Sequence, residues 1–223
     1  MCFSPQADLV GGIAISAIGV DAVRHVRRRP GHLALAALPL ILGAHQLDEA
    51  LVWWWQEGHV PATAGRVAMW IYLLIAFVVL PVFVPLAVVQ LEPTRRRRLM
   101  MAPFVAIGVV VASILLAAMV RGPVGVSVHP YHLSYALQLG GGLTVISLYV
   151  VATCGALLMS GYRHVFLFGI VNLVAIAVIA KLTVDGFASV WCGWAAVTSA
   201  GIALHMRLAE TRHRAPATPS AVT

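Results

Sequence analysis

Three observations predict an all-α fold, a single integral-membrane bundle of seven transmembrane helices. The first is composition. Of 223 residues, 61% are hydrophobic and 10% charged, where a soluble domain carries about 45–50% apolar and about 25% charged residues. The second is the run length of the apolar stretches, most of them near the ~20 residues that cross ~30 Å of hydrocarbon; the mean hydropathy is +0.91. The third is the placement of charge. Fourteen of the fifteen basic residues are Arg, clustered between apolar runs as at 27–29 and 95–98, which is how topology-setting charge is distributed. A soluble fold of this size cannot bury so much apolar surface in one core. A soluble enzyme, a nucleic-acid-binding domain and a disordered chain are thereby excluded.

The spans follow in order. The first covers residues 7–25 and the second 33–55. The third, 67–91, contains Pro81 and Pro85 and should kink. The fourth is 99–120 and the fifth 131–159. The last two share residues 164–206, divided by the polar stretch from Lys181 to Gly186; undivided, this segment would be about twice a spanning length. The seven spans form one domain, 1–207, followed by an Ala-, Pro-, Thr- and Arg-rich tail, 208–223, that reads as a disordered cytoplasmic segment. The odd-numbered loops and the tail hold twelve Lys and Arg residues and the even-numbered loops three. That split sets the N-terminus outside and the C-terminus in the cytoplasm of a multi-pass cell-membrane protein. No cleavable signal peptide and no internal repeat is expected. Cys2, Cys154 and Cys192 are too few and scattered for a disulfide framework or zinc knuckle.

An ionisable group at membrane depth costs about 2.5–3.5 kcal/mol on insertion scales, so it is read first as functional. On this topology such groups gather in the outer half. The second span ends with His45, Gln46, Asp48 and Glu49, then Trp53, Trp54 and Trp55. The entry to the fifth carries His129, His132 and Tyr135, and the connection before the seventh carries Lys181, Asp185, Phe187, Trp191 and Trp194. A polar, aromatic-walled cavity open to the outer leaflet is expected. Plainer readings stand beside each element. The tryptophans also fit an interfacial belt, Asp185 fits a helix N-cap, and Lys181 can pair with Asp185 at i+4. Asn172 suits an interhelical hydrogen bond, and Gly140-Gly141-Gly142 within the fifth span a close packing or kink. Asp48 and Glu49 lie about 100° apart on a helix and cannot enter the same seam. Glu49 shares a face with His45, Gln46 and Trp53, which makes it the better interior residue.

Three chemistries fit. An acid-initiated carbocation reaction needs a carboxylic acid kept protonated by an apolar setting, aromatic faces to stabilise a cation and exclusion of water. Glu49 and Asp185, with Asp48 as rival to the first, would be the catalytic carboxyls. His45, Gln46, Trp53, Trp54, Trp70, Tyr72, His132, Tyr135, Phe187, Trp191 and Trp194 would line the substrate site. A prenylated lipophilic molecule, entering from the membrane lipids, would suit such walls. A metal-dependent lipid hydrolase is the second, on the His45–Glu49 and His129–His132 spacings, although Pro130 breaks the latter. The third is a non-enzymatic carrier, channel or receptor. No metal and no cofactor is assigned under the first reading.

Met1-Cys2-Phe3-Ser4, the stretch from His45 through Glu49 to Trp53, and Phe187-Ala188-Ser189-Val190-Trp191-Cys192 resemble a bacterial multi-pass membrane family of unknown function over nearly the whole chain. By size, span number and the placement of an early and a late acid, the chain also resembles the integral-membrane terpene cyclases of fungal meroterpenoid and actinobacterial drimentine-type pathways. That resemblance implies metal-free cyclisation. One carboxylic acid protonates a terminal alkene or epoxide, ring closures pass through tertiary cations, and deprotonation or capture ends the sequence. The matching acids are Glu49 and Asp185, again with Asp48 as rival.

Overall fold

The computed structural model describes residues 4–129, 132–182, 194 and 197–202. The chain is mostly helical. Helix α1 (Pro5–Val26) starts where the Ser4 hydroxyl accepts the Ala7 N–H at 3.2 Å, with Pro5 in the first turn where its missing N–H costs nothing. Helix α2 (Pro30–Gln56) returns beside it. The pair approaches closely because α1 presents glycine: a Cβ on Gly12 would lie 2.7 Å from Leu47 Cγ, and one on Gly19 2.8 Å from Leu40 Cγ. Small residues at a helix contact are the usual route to dispersion energy where lipid removes the hydrophobic drive.

Helix α3 (Ala62–Leu74) and helix α4 (Leu80–Leu91) are one run joined by a π-helical turn, Ile75–Val79. The expected proline irregularity takes this form. The Leu80 N–H bonds back to the Ile75 carbonyl, five residues away. Continuing that pattern, the Ala76 carbonyl would need an N–H from Pro81, which has none. It accepts the Tyr149 hydroxyl instead, at 2.9 Å. Helix α5 (Arg95–Arg121) follows and packs on α4.

The chain then departs from an all-α fold. Strands β1 (Val124–His129) and β2 (His132–Leu137) form an antiparallel hairpin in which Val126 pairs with Tyr135 and His129 with His132. The fifth span therefore does not begin at residue 131. Val124, Val126 and Val128 alternate with Gly125 and Ser127, and Leu133, Tyr135 and Leu137 alternate with Ser134 and Ala136. This period of two suits a strand with one covered face. Val124, Val126, Leu133, Tyr135 and Leu137 turn toward the helices. Gly141, at φ +70°, opens helix α6 (Gly142–Leu158), so the glycine triplet ends a connection instead of loosening a helix. At 17 residues α6 is about 26 Å long. Helix α7 (Arg163–Leu182) runs to the edge of the described residues, and the division expected between Lys181 and Gly186 falls largely outside them.

Five of these runs are long and apolar enough to cross a membrane: Pro5–Val26, Pro30–Gln56, Ala62–Leu91, Arg95–Arg121 and Arg163–Lys181, with α6 a shorter apolar helix. Large apolar side chains such as Val10, Ile13, Val109, Val110, Leu143, Ile146 and Val174 cover their outward faces, as lipid contact requires. Residues 197–202 are also helical.

The two ends of the bundle differ. Arg27–Arg29, Arg95–Arg98 and Arg163 flank the helix ends that meet at one of them. There Glu92 is buried, and its Oε1 accepts the Ser160 hydroxyl at 2.8 Å and the Gly161 N–H at 2.6 Å. The Arg98 Nε–H donates to the Glu92 carbonyl at 2.7 Å. The hairpin covers the other end.

Candidate functional site

Beneath the hairpin, the second half of α2 carries four of the nine buried polar residues found among the described residues. Gln46 and Glu49 are almost completely buried, His45 nearly so, and Asp48 is 9% exposed. Both acids are inside, although they lie about 100° apart on α2. The reason is that α2 has neighbours on several sides: α1 packs along it near Gly43 and Gln46, while α3 and α4 pack elsewhere around it. Two acids 100° apart can then be buried in different seams.

The aromatic walls assemble in part. Trp53, Tyr72 and Leu133 are buried in one apolar cluster with Met69, Leu73 and Met119, and Trp55, Trp70 and Tyr135 pack against it. Tyr72 lies between two rings: its centroid is 4.0 Å from that of His45 and 4.5 Å from that of Tyr135, with interplanar angles of 24° and 18°. These three expected site residues come from α2, α3 and β2, and in this structure they stack on one another. Trp55 takes the place expected of Trp54 in the cluster. Gly65 makes this possible, because a Cβ there would overlap the Trp55 indole. Trp54 is half-buried and outside the apolar clusters. His129 and His132 stack across the hairpin at 4.7 Å.

Trp194 has another partner. Its Nε1–H donates to Asn172 Oδ1 at 2.8 Å, while Asn172 Nδ2 donates to the Phe168 carbonyl of its own helix at 2.9 Å. The bond expected of Asn172 is thus made to one of the expected wall residues. Asp185, Phe187 and Trp191 lie outside the described residues.

One buried acid was missed by sequence reasoning. Asp8, in the first turn of α1, is fully buried, and Gln46 Nε2 donates to its Oδ1 at 3.4 Å. A signal for it existed: Asp8 is aligned with Gly11, Gly12, Ile15 and Gly19, spacings of three, four, seven and eleven that put it on the face packed against α2.

Hydrogen bonding around α2 is incomplete. His45 Nε2, Gln46 Oε1, Asp48 Oδ2 and Trp53 Nε1 are buried and have no hydrogen-bond partner among the described residues. Buried polar atoms are normally satisfied, and several orphans in one place mark a site for water, a ligand or chemistry. Among the described residues, no group of three or more His, Cys, Asp or Glu side chains is arranged to hold a metal ion.

Fold and site together define a helical protein with several helices long and apolar enough to span a membrane, and a polar and aromatic cluster under a β-hairpin. The chain belongs to the family described as "Family of unknown function (DUF6629)", whose model matches residues 1–220. No curated protein and no solved structure matches it. These findings give no support to the likeness to membrane terpene cyclases.

Proposed function

We propose that the protein is a terpene cyclase of the cell membrane, with seven spans, the N-terminus outside and the C-terminus cytoplasmic. Its substrate is a prenylated, lipophilic molecule, most simply a farnesylated indole drawn from the bilayer. A carboxylic acid on α2 transfers its proton to the terminal alkene carbon or epoxide oxygen. The next double bond attacks the resulting tertiary cation, forming a carbon–carbon bond and moving the charge along the chain. Loss of a proton to a carboxylate ends the sequence, so the product is an isomer of the substrate. Glu49 and Asp185 are the acid–base pair, with Asp48 as rival to Glu49, and no cofactor is invoked.

One observation carries the reading: buried carboxyls at 48 and 49 share a few turns of α2 with His45 and Trp53, against the stacked rings of Tyr72 and Tyr135. Aromatic faces stabilise a passing cation without trapping it. The grouping of Arg27–Arg29, Arg95–Arg98 and Arg163 at the opposite end supports the orientation.

The test uses membranes containing the full chain, a farnesylated indole and chromatographic detection of the isomer. A positioned general acid is worth about 10²–10⁴-fold, so Glu49→Gln should lower turnover at least about 100-fold with the protein still folded. Undiminished cyclisation by Glu49→Gln, Asp48→Asn and Asp185→Asn alike overturns the assignment. Stoichiometric zinc in protein that turns nothing over would point to a hydrolase, and solute flux in liposomes to a carrier.

A further inference from the structure

The geometry points to a lateral binding site between α2 and α3 for a neutral lipophilic alcohol, held by its hydroxyl at Asp48. A groove of about 400 Å³ runs there, within the ~300–1,000 Å³ range of small-molecule sites. Leu51, Val67 and Ile71 form its sides, and each is well exposed (42%, 58% and 43%). Ala64 and Ala68 leave the space between them, and Asp48 is the one ionisable group in the lining. Both helices belong to spanning runs, so the groove opens sideways toward lipid.

The depth of Asp48 selects the ligand. Asp48 lies eight residues before the end of α2 at Gln56, about 12 Å along the axis. The groove runs along α3 from Thr63 to Ile71, again about 12 Å. The helices are antiparallel, and His45 stacks on Tyr72, so Asp48 is at the deep end and Thr63 at the interfacial end. A phospholipid keeps its charged headgroup at the interface and offers Asp48 only methylene groups. Asp48 is nine-tenths buried yet lines the groove, and its Oδ2, itself enclosed, has no hydrogen-bond partner among the described residues. A hydroxyl satisfies it in either protonation state, because it both donates and accepts. Unlike an ammonium or phosphate, a hydroxyl also reaches this depth without a large desolvation cost. A groove of this size takes one branched or linear chain lying along α3.

Binding is read without turnover, so the site stands or falls independently of the cyclisation reading. The probe is a farnesol analogue carrying a diazirine and an alkyne tag, added to membranes containing the full chain, with labelled positions found by mass spectrometry. Labelling should concentrate on residues 51–71 and be competed by unlabelled farnesol. Asp48→Leu and, separately, Ala64→Trp, which fills the groove from its exposed rim, should each reduce it about tenfold. The methyl ether of the probe, which cannot donate, should label less. Labelling spread evenly over the lipid-facing helices overturns the proposal. So does equal labelling of the groove by a diazirine phosphatidylcholine, which would mark an annular lipid position, or full labelling of both variants.

Discussion

The two ends of this bundle each bury a carboxyl, and they treat it in opposite ways. At the arginine end, Glu92 accepts from the Ser160 hydroxyl and the Gly161 N–H, which ties the α4–α5 connection to the α6–α7 connection. Beneath the hairpin, Asp48 shares its neighbourhood with His45, Gln46 and Trp53, and each of the four has a buried atom without a partner among the described residues. A satisfied buried carboxyl fastens structure, whereas one left incomplete lowers stability in the empty protein. Polar groups with that cost belong where something arrives to complete them. The contrast separates a clip from a site although both look like an acid in an apolar chain.

Stability measurements can break this contrast. The largest effect is expected at Glu92. Hydrogen bonds to charged groups are worth about 1.5–3 kcal/mol each, so Glu92→Ala should destabilise by about 3 kcal/mol in thermal or denaturant unfolding in detergent. A loss below about 1 kcal/mol would show that Glu92 is not a fastening. A smaller effect is expected midway along the bundle. Tyr149→Phe removes the donor to the Ala76 carbonyl that the π-turn and Pro81 leave unserved, and should cost about 1 kcal/mol by the same measurement. The smallest effect, of opposite sign, is expected at the other carboxyl. Asp48→Leu removes an incompletely bonded group and should leave stability unchanged or raise it by up to about 1 kcal/mol. A large loss at Asp48 would make it a second clip and erase the difference between the ends.

The legible parts of the fold were those governed by hydrophobic length. Helices α1, α2 and α5 and the α3–α4 run match the first four expected spans closely, because crossing hydrocarbon demands a fixed number of apolar residues and little else. Residues 124–139 were misjudged because a strand face and a helix face can be equally apolar; the alternation Val124-Gly125-Val126-Ser127-Val128 was present and outweighed by the run length of the segment after it. In the site, His45, Gln46 and Glu49 followed from helical spacing. The exchange of Trp54 for Trp55 did not, since it depends on which indole finds Gly65 across the α2–α3 turn. Nor did the burial of Asp8, which requires knowing that α1 and α2 meet along their glycines.

Composition and the spacing of apolar runs, taken alone, determine a largely helical protein with runs long and apolar enough to cross a membrane, because a bilayer acts on any sequence through length and polarity. Which acids end up buried, which rings stack and which polar atoms are satisfied depend on contacts between residues up to about seventy positions apart. The placement of α2 among its neighbours decides these, since a side chain's solvent is chosen by the helices around it.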